Sequence, residues 1–474
     1  MDLQKSVSQI YYYCIIENKA FVFLKKAKKY FNLKHFIKQK FTKKSLKSKK
    51  FEGHMMGRIA LDTVVVGGGL AGLSCARTLH KAGRNVFIVE ASDDIGGRIR
   101  TDEIDGFLMD WGFQVLQTAY PEARQAIDFK ALNLQSFDPG VLVFKNNRFH
   151  IMADPLRKPR YFFKTMFSSI ASPMDKFRLL KLFFKTTRRP LEYIFEASER
   201  PTHQYLKDFG FSDNIVQHFF RPFFAGVCLD PAIAASSRVF EYVFKMFAQG
   251  DAAIPEAGMA EIPRQLAADL PKECIGTQMR VSSLRQNCVV LDDGQELTTN
   301  SIVLATGAGE VQRLLGRKET VSYFSEYCLY FAAPKPPFPN SLLVLNGEGN
   351  GPINNLAFLS QVSGKYASNG QTLMAAVVIG EYYEDEDQLK RSVKAQLREW
   401  FGSATDRWRH LKTYHIKKAL PDQQPPAANP FRFNPRVGNN LYVCGEYGSL
   451  PGIQWALYSG RSAAESILST ESGL

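Results

Sequence analysis

The sequence contains no uninterrupted apolar run of about 18 residues, the length that a membrane-spanning helix needs, so no spanning segment is predicted. The closest stretch, residues 10–24, is interrupted by Glu17 and Lys19 and lacks a small-residue cleavage site, which argues against a signal peptide. The seven cysteines are scattered, odd in number and never spaced as Cys-x-x-Cys. This pattern argues against a disulfide framework and a zinc site, and it favours a reducing, cytoplasmic compartment.

Positive charge is distributed unevenly along the chain. The formal net charge is +14, but residues 1–54 contain 14 lysines, no arginine and only three acidic residues, so this extension accounts for most of the charge. The rest of the chain is nearly neutral, and no nucleic-acid partner is predicted. We interpret the extension as a solvated basic tail, or as translation starting upstream of Met55 or Met56; a membrane-surface or targeting segment is the alternative.

A β-branched run that ends at three glycines indicates a nucleotide site. Residues 62–66 (DTVVV) have the composition of a buried parallel strand, and residues 70–82 show the apolar period of a helix. Between them, Gly67, Gly69 and Gly72 form the pattern G-x-G-x-x-G. The first glycine permits a tight turn, the second lets the backbone approach a pyrophosphate, and the third lets the helix pack against the strand. The pyrophosphate would bind free N–H groups at the helix N-terminus.

An acidic residue closes the next predicted strand, residues 85–90 (NVFIVE). Glu90 follows the glycines at the distance at which a carboxylate accepts hydrogen bonds from a ribose diol, and it would repel a 2′-phosphate. The sequence therefore predicts a Rossmann-type site for FAD or NAD rather than for NADP.

Two further segments resemble those of a known family. Residues 90–101 (EASDDIGGRIRT) contain two glycines followed by Arg98, which would supply positive charge to a pyrophosphate. Residues 441–446 (LYVCGE) are a predicted strand ending in Gly-Glu, and residues 452–456 (GIQWA) open the next helix. With the first glycine turn, these segments are similar to the FAD-dependent amine oxidase superfamily, which includes phytoene-desaturase-like and protoporphyrinogen-oxidase-like enzymes. The resemblance extends over residues 60–470.

The resemblance implies FAD as the cofactor. Residues 446–460 contain no cysteine that could form a covalent link, so binding is expected to be non-covalent. In the family, the acid at the position of Glu446 binds the ribitol, the helix that opens near Gln454 directs its N-terminus at the flavin, and the backbone of Val281 lies against the adenine. The implied cofactor-binding residues are Gly67, Gly69, Leu70, Ala71, Gly72, Glu90, Ala91, Gly97, Arg98, Val281, Glu446, Gln454, Trp455 and Ala456.

The predicted fold class is α/β, with a Rossmann-type FAD-binding domain and a discontinuous substrate domain that contains an antiparallel sheet and helices. The resemblance assigns residues 55–149, 256–319 and 431–474 to the FAD-binding domain, and residues 150–255 and 320–430 to the substrate-binding domain, after the N-terminal extension 1–54. In the second insert, β-branched and aromatic runs predict strands at 326–333, 341–346, 355–362 and 372–380, and residues 385–400 predict an amphipathic helix.

The first insert contains a basic and aromatic stretch. Between residues 161 and 189, phenylalanine and leucine residues alternate with lysine and arginine residues. The interpretation we favour is a helix with one side in the core and solvated charges on the other. The alternative is a helical face that docks on a membrane storing an apolar substrate, which would make the protein peripheral at a membrane.

The predicted chemistry is that of a flavin oxidoreductase. A flavin carries the hydride chemistry, so the protein needs to hold a substrate C–H bond over it and exclude water. Amine oxidases of the family commonly use a lysine near the flavin, but the sequence after Glu326 (YCLYFAAP) has none at the position that we match. Trp455 is interpreted as one wall of a substrate cage or as core packing.

We therefore predict oxidation of a C–C or C–N single bond in an apolar small molecule, of isoprenoid, polyene or tetrapyrrole type. Oxidation of amines, and a redox-neutral flavin protein or isomerase, are the alternatives. The glycines of residues 346–352 (NGEGNGP) precede no helix, so no second dinucleotide is expected. Electrons would pass to oxygen, a quinone or another carrier, and no metal is predicted.

Overall fold

The computed structural model describes residues 61–154, 157–380 and 385–471, which belong to the unit formed by residues 60–474. The N-terminal extension, with its tail and membrane interpretations, lies outside the described residues. The strands are β1 (Leu61–Val66), β2 (Val86–Val89), β3 (Thr101–Ile104), β4 (Phe107–Asp110), β5 (Leu116–Gln117), β6 (Gln135–Ser136), β7 (Gly140–Lys145), β8 (Arg148–Ala153), β9 (Ala252–Ile254), β10 (Ile275–Gly276), β11 (Val281–Arg285), β12 (Cys288–Leu291), β13 (Glu296–Leu304), β14 (Tyr323–Ala333), β15 (Leu343–Asn346), β16 (Ile353–Phe358), β17 (Thr372–Ile379), β18 (Arg409–Pro421), β19 (Arg436–Gly438) and β20 (Leu441–Val443).

The α-helices alternate with these strands in the first part of the chain and cluster between β8 and β9. They are α1 (Leu70–Lys81), α2 (Pro121–Ala126), α3 (Phe162–Met166), α4 (Pro173–Arg188), α5 (Leu191–Glu196), α6 (Thr202–Phe209), α7 (Asp213–Ile215), α8 (Arg221–Cys228), α9 (Ser237–Gln249), α10 (Glu261–Ala267), α11 (Ala308–Leu314), α12 (Leu359–Val362), α13 (Glu386–Phe401) and α14 (Ile453–Glu471), with a π-helical turn, Val216–Phe220, between α7 and α8.

The first sheet contains the predicted Rossmann unit. Its strands run in the order β10-β2-β1-β13-β12-β11, and β20 pairs with β13. The pairs β10–β2, β2–β1, β1–β13 and β13–β20 are parallel. Val64 and Val65 of β1 are fully buried, as the β-branched run predicted. Because parallel strands end at one edge, the loops after β1, β2, β13 and β20 meet there, and this edge is where a ligand is expected.

Two helices pack closely against this sheet edge. The helix α1 follows the glycine turn, as predicted for residues 70–82. The C-terminal helix α14 lies against it, and a Cβ atom at Gly460 would lie only 2.2 Å from the carbonyl oxygen of Ala71. The hydroxyl of Ser74 also donates to the carbonyl of Leu457 at 2.8 Å. The first and last segments of the described chain therefore form one structure.

The second sheet has the order β18-β14-β17-β16-β15-β7-β8 and is antiparallel except for the pair β15–β7. The predicted substrate-domain strands correspond to β14–β17, and the predicted helix corresponds to α13. The strand predicted for residues 355–362 was partly wrong, because its last four residues form α12. There the hydroxyl of Ser360 accepts the N–H of Leu373 at 3.0 Å, in place of a further backbone pair.

The hairpin β7–β8 belongs to the second sheet, since β7 pairs with β15. The predicted boundary at residue 149 therefore falls inside a strand of that sheet, and the first FAD-domain segment would end before Gly140. The division of the body into two discontinuous lobes stays a prediction.

Candidate functional site

The predicted glycine turn has the geometry that a pyrophosphate needs. Gly67 has a φ of +110°, a conformation that other residues rarely adopt, and its N–H donates to Val89 at 2.8 Å. A Cβ atom at Gly72 would lie 2.0 Å from the carbonyl oxygen of Gly67, so only glycine allows α1 to approach β1 this closely. A Cβ atom at Gly69 would have nothing within 4 Å. The turn is therefore tight on the protein side and open at Gly69, as a bound phosphate requires.

The second glycine loop lies beside the first. The N–H of Gly96 donates to the carbonyl of Gly68 at 2.8 Å, and Gly69 and Gly96 form an isolated parallel bridge. A Cβ atom at Gly97 would lie 3.4 Å from the Cα of Gly69. The two loops that the sequence assigned to one pyrophosphate are therefore adjacent.

The carboxylate of Glu90 lies at the edge of the first loop. One oxygen accepts the N–H of Gly68 at 2.7 Å, and the other accepts both the N–H and the hydroxyl of Ser92 at 2.8 Å. These bonds hold the carboxylate beside the turn, where a ribose diol of a bound dinucleotide would lie. Ala91, the next predicted residue, is exposed.

An ion pair joins the second glycine loop to the C-terminal Gly-Glu segment. The guanidinium of Arg98 donates to Glu446 at 2.5 Å and to the carbonyl of Ala419 at 2.8 Å. The other oxygen of Glu446 accepts the hydroxyl of Tyr323 at 2.6 Å and the N–H of Ala308 at 3.2 Å. Burial and the Glu446 carboxylate raise the pKa of Tyr323 above its ordinary value. Four segments that are distant in sequence thus converge on Glu446.

Tyr323 has no counterpart among the predicted site residues. Its only signal in the sequence is its place in an aromatic run just before the predicted strand at 326, which is equally typical of core packing.

One large cavity contacts most of the predicted cofactor residues. Its volume is about 1610 Å³, more than the roughly 300–1,000 Å³ of a usual small-molecule site, so it has room for a dinucleotide and a substrate. The predicted residues that line it are Gly67, Gly69, Leu70, Ala71, Glu90, Gly97, Arg98, Glu446 and Ala456.

The other predicted residues lie behind this lining. Gly72 serves the packing of α1, as described above. The side chain of Gln454 is buried and its oxygen accepts the N–H of Glu122 at 2.9 Å. This side chain therefore points away from the cavity. The carbonyl of Val281 accepts a hydrogen bond at 2.9 Å from Arg313, which itself lines the cavity.

Trp455, which the sequence left open between a substrate wall and core packing, lies in the core. Its side chain is 1% exposed and does not line the cavity. The ring packs among four other aromatic rings, with centroid distances of 5.2–5.9 Å to Phe195, Tyr242, Phe431 and Tyr458. Trp455 and Ala456 are the third and fourth residues of α14, and Ala456 faces the cavity while Trp455 does not, because successive helical side chains point in different directions. Core packing was the correct interpretation.

The part of the cavity remote from the glycine loops is rich in phenylalanine. These side chains come from α3, α4, the π-helical turn, α8 and α9. They are Phe162, Phe183, Phe184, Phe219, Phe220, Phe223, Phe224, Phe244 and Phe247. Such a surface favours an apolar ligand.

Glu326 is a buried carboxyl group on the cavity that the sequence analysis did not assign. It lies on β14, is 7% exposed and lines the cavity. Burial raises the pKa of this carboxyl from 4.5 to about 7, and the backbone N–H of Phe113 opposes the shift. In the sequence it is a single acidic residue at the start of an otherwise apolar strand. It was therefore counted as part of the predicted strand and not as a site residue.

Within the described ranges, no group of three or more histidine, cysteine or carboxylate side chains could hold a metal ion, and six cysteines are free. None of the helices in that same part of the chain is long and apolar enough to cross a membrane.

Comparisons with known proteins identify the family. A family model described as flavin containing amine oxidoreductase matches residues 70–468, and one described as pyridine nucleotide-disulphide oxidoreductase matches residues 26–111. The chain is 43% identical over 70 residues to putrescine oxidase of Kocuria rosea, a match that covers 15% of each protein. It is 25% identical over 163 residues to protoporphyrinogen oxidase 2 of Arabidopsis thaliana, covering 34% of this chain and 31% of that relative. The matches thus span less than a third of either relative.

The fold extends over the body. The solved structure of an oxidoreductase from Methanosarcina mazei matches with a TM-score of 0.64 at 20% identity, over 86% of this chain and 100% of that one. The predicted fold class and the predicted cofactor, FAD, are confirmed. Since the first family model covers most of its length, the chain belongs to the family of flavin-containing amine oxidoreductases.

Proposed function

We propose that this protein uses FAD to oxidise a C–C or C–N single bond of an apolar small molecule, of polyene, isoprenoid or tetrapyrrole type. The observation that carries the proposal is the single cavity that is lined both by the two glycine loops and by the phenylalanine-rich section. When bound, FAD would supply the acceptor for a hydride.

The residues around the two glycine loops fit FAD. The open space at Gly69 and the N-terminus of α1 suit the pyrophosphate, and Glu90 suits the adenosine ribose. Arg98 and Glu446, which pair with each other and both line the cavity, would hold the pyrophosphate and the ribitol. The start of α14, at Gly452 and Ile453, also lines the cavity, and its positive dipole end would favour negative charge on the flavin ring.

The phenylalanine-rich section supports an apolar substrate. Phe220 and Phe224 are buried among other rings, with centroids 4.5–5.9 Å apart from Phe240, so this wall is a packed aromatic surface. An apolar ligand would bind there by excluding water, and exclusion of water also protects the reacting centre.

Exposed apolar side chains at the edge of the phenylalanine-rich section support entry of the substrate from a membrane. Of the large apolar side chains that are exposed in the described residues, nine lie between residues 162 and 193: Phe162, Phe163, Met166, Phe167, Met174, Phe177, Leu180, Phe184 and Tyr193. Four of these also line the cavity: Phe162, Met166, Leu180 and Phe184. A contiguous exposed apolar patch at a cavity mouth is typical of a membrane or partner contact.

Charge favours an anionic lipid surface as the partner of this rim. Between residues 161 and 189 the chain has seven lysines and arginines and a single acid, Asp175. Asp175 caps α4 through Ser172 and lies 3.8 Å from Arg178, and Glu241 of α9 pairs with Lys185 and Arg189. The positive charge of this surface therefore comes from the other four bases, Lys164, Lys176, Lys181 and Arg188. The rim therefore combines exposed aromatic side chains with basic ones, as interfacial helices do. Residues 162–193 are called the rim below.

Amine oxidation is the rival function. An ammonium group would need a charged carboxylate on the cavity, and Glu326 is the buried candidate. Burial raises the pKa of Glu326 to about 7, so the charged form that would pair with an ammonium group carries a desolvation cost, which weakens the rival. Trp455 also forms no aromatic cage on the cavity, so a second feature expected of an amine-binding site is missing.

The test is anaerobic reduction of the full chain loaded with FAD. We expect the visible absorption of the bound flavin to bleach when a polyene or a tetrapyrrole of the porphyrinogen type is added, and to persist when putrescine or another amine is added. Bleaching by amines alone would establish the rival. Bleaching by no compound would overturn the proposal in favour of a redox-neutral flavin protein.

Removing the charge of Glu446 is expected to weaken FAD binding. Glu446→Gln keeps the side-chain shape but loses the ion pair with Arg98 and the charged acceptor for the ribitol. A hydrogen bond to a charged group contributes about 1.5–3 kcal/mol, so we expect the Kd for FAD to rise about 10- to 100-fold. Fluorescence titration of the apoprotein with FAD would measure this. Glu465→Gln, on the exposed side of α14, is the control and should leave the Kd unchanged; equal Kd values for both variants would contradict the assignment.

A further inference from the structure

The buried carboxyl of Glu326 faces the cavity with no cation beside it. No cation among the described residues shifts the pKa of this carboxyl, and its residue is only 7% exposed. Burying a charged carboxylate without a cation costs free energy. The presence of an acid at this position therefore needs a structural or a chemical explanation.

Glu326 lies next to the loop at residues 111–114, which follows β4. A Cβ atom at Gly112 would be 2.1 Å from its carboxyl oxygen, so the acid is packed directly on the backbone of the loop at 111–114. In the same loop, the amide of Gln114 donates to the carbonyl of Arg98 and to the carbonyl of Trp111, both at 2.8 Å. One short loop therefore contacts both the arginine assigned to FAD and the carboxyl on the cavity wall.

The backbone N–H of Phe113 donates to Glu326, and the side chains beside it on the neighbouring strands are apolar. The opposite residues on the two neighbouring strands, Ile379 and Ile416, are apolar. On its own strand Cys328 is a thiol whose pKa burial raises well above its ordinary value, with smaller contributions from the charges of Glu326 and Asp110, so it stays neutral. Lys418, two residues beyond Ile416, pairs with Glu319 at 2.6 Å.

Asp110 is a second buried carboxyl group, and its surroundings differ from those of Glu326. It is also buried, but it accepts hydrogen bonds from Thr101 at 2.6 Å, Tyr366 at 2.8 Å and the N–H of Met259 at 3.0 Å. It does not line the cavity. Asp110 therefore serves the packing of its loop, whereas the cavity is the open side of Glu326.

We propose that Glu326 accepts the proton that the substrate loses during oxidation. This inference rests on the proposed function. When bound, FAD would accept one C–H bond's electron pair from the substrate as a hydride. The neighbouring C–H or N–H bond breaks, its electron pair forms the new double bond, and its proton goes to the carboxylate of Glu326. The two electrons then pass to the acceptor, oxygen or a quinone, and Glu326 releases its proton to water. A proton-accepting group works best when its pKa is near the working pH.

The test compares Glu326→Gln with Glu319→Gln in the FAD-loaded full chain. Glu319 also lines the cavity but is exposed and paired with Lys418, so it is a matched control. Infrared difference spectra between pH 5 and pH 9 should show a carboxyl band that titrates near the pKa of about 7 in the wild type and in Glu319→Gln. This band should be missing in Glu326→Gln, whereas the band of Asp110, whose pKa burial raises to about 6, should remain in all three proteins. This measurement needs no substrate.

The second measurement is the rate of anaerobic flavin reduction by the compound that bleaches the wild type in the screen above. In the wild type and in Glu319→Gln the rate should rise with pH through the pKa of Glu326. In Glu326→Gln it should fall about 100-fold at pH 8 and lose this dependence, since a positioned general base contributes about 10²–10⁴-fold. A wild-type rate in Glu326→Gln, or a carboxyl band titrating near 7 that persists in it, would overturn the inference alone. If no compound bleaches the wild type, the proposed function fails and the inference fails with it.

Discussion

Replacing Phe163, Phe167 and Phe177 together by serine is expected to weaken binding of the full chain to anionic vesicles by about 100-fold. These three side chains are 69%, 78% and 63% exposed, so their removal should not disturb the core. Burial of a phenylalanine is worth about 1.5–3 kcal/mol, and even about 1 kcal/mol recovered by each ring in the lipid interface gives a hundredfold change in the Kd. Co-sedimentation with vesicles of phosphatidylserine and phosphatidylcholine would measure the affinity.

The control for this variant is Ile104→Ser, which removes an exposed apolar side chain outside the rim. It should bind vesicles like the wild type. Binding of both chains should fall as salt is added, because the basic side chains act through screened electrostatic attraction. If the triple variant binds as tightly as the wild type, the rim does not face a membrane, and any vesicle binding comes from the basic residues of the N-terminal extension.

The rim also shows where a helical pattern in the sequence was insufficient. The favoured interpretation of residues 161–189 placed apolar residues in the core and charges in solvent. In α4, Leu182 is indeed fully buried, but Phe177 and Leu180 are largely exposed. Apolar side chains occupy more than one side of this helix, and a single sequence does not reveal which side has a neighbour. That depends on the tertiary packing of α4 against α9.

Local features of the nucleotide site could be predicted, whereas its long-range contacts could not. The turn at Gly67 and the helix α1 depend on neighbouring residues, so the glycine pattern was sufficient for both. The sequence also assigned Arg98 and Glu446 to one cofactor, but only by resemblance. Their direct ion pair bridges 348 positions and depends on how α14 packs on α1.

Glu326 was not identified for the same reason. In sequence it is an acid at the start of a strand, where a solvated side chain is common. Its burial results from the loop at Gly112, more than two hundred positions earlier, which covers it with backbone. The buried acid and the glycine that accommodates it are recognisable as a pair only in three dimensions.

Glu326→Gln is expected to make the stability of the protein less dependent on pH. The folded protein holds the Glu326 proton more tightly than the unfolded chain does, since its pKa is raised from 4.5 to about 7. The free energy of unfolding of the wild type therefore falls as the pH rises through this interval, by about 3 kcal/mol in total. This loss is absent in Glu326→Gln. The difference in unfolding free energy between variant and wild type should accordingly grow by about 3 kcal/mol in favour of the variant from below pH 4.5 to pH 8.

Urea denaturation at a series of pH values, with FAD in constant excess, would measure this difference. The constant contribution of the buried glutamine amide cancels, because only the change with pH is compared. Asp110, whose pKa burial raises to about 6, contributes a similar slope to both chains and cancels as well. Glu319→Gln, whose carboxylate is paired at the surface, should follow the wild type. A difference between Glu326→Gln and the wild type that stays constant from pH 4 to pH 8 would mean that Glu326 is already ionised in the folded protein, and it could not then take up a proton near neutral pH as the proposed reaction requires.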